Sequence, residues 1–360
     1  MSKARVTIKE VAAKANVSLG TVHRALCGKK GVSEAVRSDI LRIADEIGYE
    51  VNTAASLLKR KSLRIAVAFP GITPRNRYYY TDVWQGFRDY IAQVKDYNLQ
   101  IIEVPFYSGT EQNQANALHS TLHHLQGELD GLLTVGLSQS TRSSKEENEQ
   151  LLAAIAAFEA RGIPIVLACN DIANCARLAC VQVNYKEVGR VAAELLAAQT
   201  PENTSVLVCA GDRLIESHYK IVEGFTQYLA ETKTPLKCSM IYDSDADQFA
   251  ESIKAALTKD DHIFAAFSVN AQGSVALAEA LRELQLTRRI RAVGSDVFAE
   301  NIAAMQEGIL CNLLDKKQRK QAFIATQVLL DAIVRDIKPQ KSTVYVNSNV
   351  VFRSNLRQNR

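Results

Sequence analysis

The stretch VTIKEVAAKANVSLGTVHRAL, residues 6–26, decides the fold of the N-terminal region. Its T-x-x-E start has the spacing of a capping box, which predicts a helix beginning at Ile8. Asn16-Val17 then breaks the apolar periodicity, and Ser18 can cap a second helix from Leu19 to about Leu26. Two short helices around a tight break predict a helix-turn-helix unit, whose second helix enters the DNA major groove.

A third helix is predicted to follow the break at residues 28–31. Ser33 is placed to cap this helix, which is expected to run to Gly48. Its apolar stripe is predicted to consist of Val36, Ile40, Ile43, Ala44 and Ile47.

Positive charge is concentrated in the same part of the chain. Residues 1–64 contain 13 Lys and Arg against 6 Asp and Glu, a net charge of +7, whereas the remainder carries −3. This asymmetry favours a small nucleic-acid-binding head on a larger body. A solvated basic surface would give the same count and is the alternative.

Two groups of head residues are candidate DNA contacts. Arg24 is the natural base reader, because its guanidinium fork matches a guanine edge. The residues of the second helix that would face base edges are Ser18, Leu19, Gly20, Thr21, His23 and Arg24. The residues near helix ends, where phosphates are usually bound, are Thr7, Ser18, Lys29, Lys30, Ser33 and Arg37.

Residues 6–52, VTIKEVAAKANVSLGTVHRALCGKKGVSEAVRSDILRIADEIGYEVN, resemble the head of the lactose-repressor/galactose-repressor family. That family's pattern is roughly V-T-[IL]-x-[ED]-V-A-x-x-A-x-V-S-x-x-T-V-S-R, then V-S-x-x-T-R, then G-Y-x-P-N-x-x-A-x-x-L. The chain departs from it at His23, Val36 and Val51, where Ser, Thr and Pro are usual. The resemblance implies a homodimeric bacterial transcription regulator that binds a near-palindromic operator.

The segment VNTAASLLKRKS, residues 51–62, corresponds to the hinge helix of that family. The resemblance implies that paired hinge helices enter the minor groove, each inserting a leucine between base pairs, and Leu58 is the candidate. The implied DNA contacts of this segment are Asn52, Ala55, Leu58 and Lys59. We expect the helix to fold on DNA, because an isolated helix of this length is unstable in water. A flexible linker with two incidental leucines is the alternative.

From Leu63 the pattern changes to short apolar runs that alternate with amphipathic segments. Such alternation predicts parallel sheets covered on both faces, and its restart midway indicates two lobes. The predicted fold class is therefore an all-α helix-turn-helix head, residues 1–50, with an α/β body of two doubly wound parallel-sheet lobes. The body is expected at 63–353, with the N-lobe at about 63–168 and 297–330, the C-lobe at about 169–296 and 335–353, and a tail at 354–360.

Helices of the body are expected between the apolar strands. The amphipathic segments lie near residues 82–94, 112–125, 148–161, 186–198, 219–231, 247–258 and 272–284. The body resembles the periplasmic sugar-binding-protein fold that the same repressor family uses as its core.

The cleft between the lobes is the expected ligand site, because ligands of open parallel sheets bind outside the carboxyl ends of the strands. Aromatic rings can stack on a sugar face, and carboxylates and amides can bind hydroxyl groups. The candidate residues are Tyr80, Asp82, Trp84, Asn170, Asp171, His218, Asn270 and Asp296.

The family resemblance supports these candidates unequally. Asn270 and Asp296 match the family's N-D-x-x-A-x-G and G-x-D turns. Ile221 stands where family members often carry Arg, and the usual Gln-Asp pair is Leu314-Asp315 here. The implied ligand is a sugar or sugar derivative, and Ile221 leaves a different ligand open.

The sequence also bears on three other classes of protein: an enzyme, a transport receptor and a thiol-based sensor. No P-loop, G-x-S-x-G motif or dinucleotide-binding glycine turn is present, so an enzyme is not expected, nor is a cofactor or metal. A sugar transport receptor would share the body but would have no use for the basic head. Closely spaced Cys169, Cys175 and Cys180 allow a thiol-based sensor, although such residues are more often buried. Without a signal peptide or a long apolar run, a cytoplasmic location is expected, with no membrane partner.

Overall fold

The computed structural model describes residues 6–26, 31–47, 62–107, 110, 113–126, 128–136, 145–213, 215–242 and 246–359. The chain forms two compact units, a head of residues 1–62, with which the short segment Lys95–Asn98 is grouped, and a body of residues 63–94 and 99–360. The predicted hinge contacts and the two lysines at positions 29 and 30 lie outside the described residues.

The head consists of α1 (Ile8–Lys14), α2 (Leu19–Leu26) and α3 (Glu34–Glu46). All three predicted helix starts are confirmed. The Glu10 carboxylate accepts a hydrogen bond from the backbone N–H of Thr7 at 2.6 Å. The hydroxyl groups of Ser18 and Ser33 accept from the first turns of α2 and α3 at 3.2 and 3.4 Å.

A small apolar core holds the three helices together. Its buried members are Val11, Ala12, Val22, Ala25, Ile40, Ile43 and Ala44. Val36 was predicted in this stripe but is exposed, because it lies in the first turn of α3 and the buried face begins at Ile40, one turn later. The predicted helix end at Gly48 is also too late, since α3 ends at Glu46.

The body contains two six-stranded sheets. The first has the order β11-β5-β4-β3-β1-β2, and its strands all pair in parallel. These strands are β1 (Leu63–Ala68), β2 (Leu99–Glu103), β3 (Gly131–Val135), β4 (Ile165–Ala168), β5 (Ala179–Val183) and β11 (Thr343–Val346). We call this sheet with its helices the N-lobe.

The second sheet has the order β12-β10-β9-β8-β6-β7. Its last strand in the chain pairs antiparallel, and the others pair in parallel. The strands are β6 (Thr204–Gly211), β7 (Leu236–Tyr242), β8 (Ile263–Ser268), β9 (Arg291–Ser295), β10 (Asn312–Asp315) and β12 (Asn349–Phe352). We call this sheet with its helices the C-lobe.

Nine α-helices are described in the body. They are α4 (Arg77–Gln93), α5 (Gln114–His124), α6 (Lys145–Glu159), α7 (Tyr185–Gln199), α8 (Glu216–Glu231), α9 (Ala246–Lys259), α10 (Ala271–Glu283), α11 (Ala299–Gln306) and α12 (Gln318–Arg335). Neither α11 nor α12 was predicted from the sequence. The predicted tail is a short 3-10 helix, Arg353–Asn359, whose Leu356 packs into the C-lobe core.

The sheet order corrects the predicted lobe boundaries. The strand β5 belongs to the N-lobe, β10 to the C-lobe and β11 to the N-lobe, each opposite to the prediction. A buried apolar strand carries no signal of which sheet it joins, so the sequence could not place these three. The chain therefore crosses between lobes at residue 184, at residues 316–317 and at residues 347–348.

Among the described residues, no helix is both long and apolar enough to cross a bilayer. The same residues contain no cluster of three or more His, Cys, Asp or Glu side chains suited to a metal ion.

Candidate functional site: an interlobe cavity and the exposed helix of the head

A cavity of about 530 Å³ opens between the two lobes of the body. Its walls are the segments that follow the carboxyl ends of strands in both sheets. This is the edge at which open parallel sheets bind ligands, and the volume suits a small molecule. The cleft in which the ligand site was predicted therefore contains a cavity.

Aromatic side chains form one part of the cavity wall, which we call the aromatic wall: Tyr78, Tyr79, Tyr80, Phe106, Tyr107 and Tyr185. Burial raises the pKa of Tyr80 above its usual value, so its phenol stays protonated and able to donate. The Tyr185 hydroxyl donates to the Cys169 carbonyl oxygen at 2.7 Å, which fixes that ring in place. Such a wall offers flat apolar faces for a sugar ring or another planar ligand.

Asp296 and Lys316 form a buried charged pair at the C-lobe side of the cavity. Their side chains approach to 3.0 Å and are almost fully buried, yet both residues line the cavity. Burial raises the pKa of Asp296, and the Lys316 ammonium opposes that rise. The Asp296 oxygens have no regular hydrogen-bond donor among the described side chains beyond this ion pair. The carboxylate can therefore accept hydrogen bonds from a ligand.

His218 presents a neutral imidazole to the cavity. Its Nδ1 accepts a hydrogen bond from the Asp212 backbone N–H at 3.1 Å, so Nε2 carries the proton in the neutral ring. Burial, together with nearby Lys316, lowers the pKa of His218 to about 3. His218 is therefore a hydrogen-bond donor to a ligand near neutral pH and adds no positive charge.

Two asparagines complete the polar lining. Asn170 is buried, and its Oδ1 has no hydrogen-bond donor among the described residues, so it can accept from a ligand. Asn270 caps α10 through its Oδ1, which accepts from the Gly273 N–H at 2.6 Å and leaves the amide nitrogen for other partners. An added Cβ at Gly211, whose φ is +65°, would lie within 3 Å of both Asn270 and His218. The absent side chain at Gly211 thus lets the two polar groups converge.

Three predicted ligand residues do not line the cavity. Trp84 is core, because its ring packs edge-on against Phe69 and its N–H donates to the Pro70 carbonyl at 2.9 Å. The Asp171 carboxylate pairs with Arg177 and accepts a hydrogen bond from the Ile172 N–H. Asp82 is half-buried on α4 outside the lining. The other five candidates, Tyr80, Asn170, His218, Asn270 and Asp296, all line the cavity.

The lobes contact each other directly beside the cavity. Arg77, at the start of α4 in the N-lobe, pairs with Glu300 of α11 in the C-lobe at 2.6 Å. Tyr78 packs against Phe298, with ring centroids 4.6 Å apart. We call these two contacts the latch, because they join the lobes where the ligand would be enclosed.

Some lining residues were missed from sequence. These are Lys316 and Tyr185, which lie where the chain crosses between lobes. Ile221, which the sequence singled out for its lack of the usual Arg, is buried in α8 yet reaches the cavity. The Arg that is common at position 221 is thus replaced by an apolar group at the ligand site. The signal for Lys316 was available, since a lysine directly after an apolar strand lies at the carboxyl edge of the sheet.

On the head, the N-terminal end of α2 presents the predicted base readers. Leu19 is exposed, and so is Arg24, whose Nε donates to the Gly20 carbonyl at 3.2 Å. Ser18 and Thr21 share a hydrogen bond of 2.9 Å between their hydroxyl oxygens. Arg37 is largely buried and donates to the Ala25 carbonyl at 2.9 Å, so it ties α3 to the end of α2. DNA contacts by these residues stay a prediction.

Comparison with known proteins matches each unit to a family. Residues 7–52 match the bacterial regulatory proteins of the lacI family, and residues 146–335 match the periplasmic binding protein domain. Catabolite control protein A from Priestia megaterium is 27% identical over 265 residues, 73% of this chain and 73% of that protein. The HTH-type transcriptional regulator pepR1 of Lactobacillus delbrueckii subsp. lactis is 25% identical over 248 residues, 69% of this chain and 67% of that one.

A solved structure shares the fold of the body at lower sequence identity. It is an ABC transporter periplasmic solute binding protein from Actinobacillus succinogenes 130z with bound D-allose. The TM-score is 0.68 at 18% identity, over 82% of this chain and 99% of that one.

The two units define a class of protein, a DNA-binding regulator with a periplasmic-binding-protein-like body. The chain carries a lacI-family DNA-binding domain at residues 7–52 and belongs, over residues 146–335, to the periplasmic binding protein domain family; it is a DNA-binding transcription regulator. The predicted family and fold class are confirmed.

Proposed function

We propose that a small carbohydrate binds in the interlobe cavity and thereby changes the affinity of the head for operator DNA. One observation carries the proposal. The same chain holds a helix-turn-helix head and a cavity that combines an aromatic wall with acceptors on Asn170 and Asp296 and a donor on His218. Stacking faces together with convergent hydrogen-bond groups are what a polyhydroxylated ring requires. The D-allose-bound structure with this fold is consistent with such a ligand.

The regulator is proposed to act as a homodimer in the cytoplasm, most simply as a repressor. Two heads related by two-fold symmetry would bind two half-sites of a near-palindromic operator. Ligand binding would alter the arrangement of the lobes and hence DNA affinity, a coupling of about 1–3 kcal/mol in typical cases. We propose that it does so by binding alone, without catalysing a reaction.

The two alternatives are less well supported. A transport receptor has no role for a DNA-binding head, which residues 7–52 form. A thiol sensor needs a reactive thiolate, but burial raises the pKa of Cys169 to about 12 and raises that of Cys175 and Cys180 as well. These thiols are protonated at neutral pH.

A thermal-shift screen tests the ligand part of the proposal. Purified protein is heated with neutral monosaccharides, sugar phosphates, polyols and unrelated metabolites, and a ligand that binds the native state raises the melting temperature with concentration. We expect at least one carbohydrate to do so. If none did while the protein still bound DNA, the carbohydrate assignment would be withdrawn and the regulator assignment kept.

A further inference from the structure

Lys316 occupies an unusual position in the body. It follows β10 directly, in the segment where the chain passes from the C-lobe sheet to the N-lobe helix α12. Its neighbour Lys317 precedes α12 in a left-handed conformation, with φ of +55°. Lys316 is 4% exposed, so a cationic side chain is buried on a segment that joins the two lobes.

The contacts of the Lys316 ammonium leave it able to bind a ligand. It approaches Asp296 at 3.0 Å and donates to the Val269 carbonyl oxygen at 3.2 Å. An ammonium group has three donors, so one is left for the cavity that Lys316 lines. Burying the ammonium without partners would be costly, and these two contacts offset that cost.

Asp296 supplies complementary acceptors beside it. The charges of the pair cancel and Ile221 adds no cation, so this corner of the cavity carries no net charge. One ligand hydroxyl can donate to the Asp296 carboxylate while its neighbour accepts from Lys316. Two adjacent hydroxyl groups on an uncharged ring fit this arrangement of one acceptor and one donor.

We propose that Lys316 is a specificity-determining residue that binds adjacent hydroxyl groups of an uncharged saccharide and, through its place on the lobe crossing, transmits occupancy of the cavity to the lobe arrangement. The inference rests on the proposed function and specifies its ligand class. Because Lys316 lies in the segment that joins the lobes, a ligand that shifts its ammonium group also shifts the backbone between the lobes.

The test compares four proteins: wild type, Lys316→Met, the double variant Asp296→Asn/Lys316→Met, and Lys317→Met as a matched control. Lys317 lies on the same crossing and pairs with Asp315 at 2.7 Å, but it does not line the cavity. The double variant removes both charges at similar volume, which keeps the fold where a single loss would leave a buried charge unpaired. Binding of D-ribose, D-allose, D-arabinose and D-glucose, and of ribose 5-phosphate and glucose 6-phosphate, is measured by calorimetry on the full-length proteins, with the melting temperature recorded for each protein.

We expect Lys316→Met and the double variant to lose more than about tenfold in affinity for the tightest of these sugars, as loss of a charge-assisted hydrogen bond predicts. Lys317→Met should stay within about twofold. Operator affinity, measured with and without saturating sugar, should respond less to the sugar in the Lys316 variants than in the control. A merely structural lysine would lower the melting temperature but leave the sugar affinity of the folded protein unchanged.

The outcomes separate the inference from the proposed function. If the wild type binds one of the sugars and the double variant binds it equally well, the role of Lys316 is refuted and the proposed function stands. If sugar phosphates bind the wild type more tightly than the uncharged sugars, the ligand class is wrong. If the wild type binds no saccharide, the carbohydrate proposal fails and this inference fails with it.

Discussion

Removing the latch should make the cavity easier to open. The change is Phe298→Ala, which deletes the ring that packs against Tyr78 at 4.6 Å, tested alone and combined with Arg77→Ala. An aromatic pair of this geometry contributes about 1 kcal/mol beyond its buried area. The ion pair of Arg77 with Glu300 is half exposed, so solvent screening leaves it a small share of the latch.

The aromatic contact stabilises the closed lobes by roughly 1 kcal/mol, which is about fivefold in an equilibrium constant. If a ligand binds only between closed lobes, fewer protein molecules can bind it once the latch is removed, so its apparent affinity should fall by up to about fivefold in the double variant. Calorimetric titration with the tightest-binding sugar measures the change, and Phe298→Ala alone should show most of it.

Phe352→Ala is the control, because Phe352 is an exposed ring of the same size on β12, away from the latch. Its sugar affinity should match that of the wild type. The reasoning about lobe closure is refuted if the latch variants bind the sugar as tightly as this control.

Three further predictions concern packing, pH and DNA recognition. Gly224→Ala would place a Cβ 2.0 Å from the Lys186 carbonyl oxygen where α7 and α8 cross, so unfolding should become easier by about 1–3 kcal/mol in a denaturant titration. His218 has a pKa of about 3 in the folded protein and about 6.5 in the unfolded chain. Its contribution to the free energy of unfolding should therefore be complete above pH 6.5 and should fall by up to about 2 kcal/mol at pH 5. The loss of stability at pH 5 should be smaller in His218→Asn. In binding assays, Arg24→Ala should relax base preference, and Leu58→Ala should weaken specific binding far more than non-specific binding.

Each of these has a contrary result. Unchanged stability of Gly224→Ala would mean that α7 and α8 tolerate a wider crossing than their contact implies. An identical pH profile in His218→Asn would remove the imidazole as the titrating group. Equal losses on operator and random DNA would refute both roles in recognition.

The sequence predicted the elements of the body better than their assembly. Every described strand corresponds to an apolar run, and the signal is clearest in central strands such as β3, β4 and β6, which are buried along their whole length. The sheet that a strand joins depends on crossing segments that follow no periodicity, so β5, β10 and β11 were assigned to the wrong lobes. The predicted start of α4 was five residues too late, at Asp82 rather than Arg77.

The residues of the candidate site were also predicted only in part. Asn270 and Asp296 were predictable because they end buried strands in recognisable turns, and both line the cavity. Trp84 was misplaced because an aromatic residue near a strand end can face either the cleft or the core, and the rotation of α4 decides which. The position of Lys316 directly after an apolar strand was a usable signal, but its pairing with Asp296 could not be predicted, because the two residues follow different strands.

The most direct test of the central claim is the operator affinity of the full-length protein with and without the carbohydrate that raises its melting temperature. The operator would first be selected from random-sequence DNA by the wild-type protein. The account predicts that the ligand changes the dissociation constant by roughly 5-fold to 150-fold, in either direction. An unchanged dissociation constant at saturating ligand would contradict it, because head and cavity would then be uncoupled.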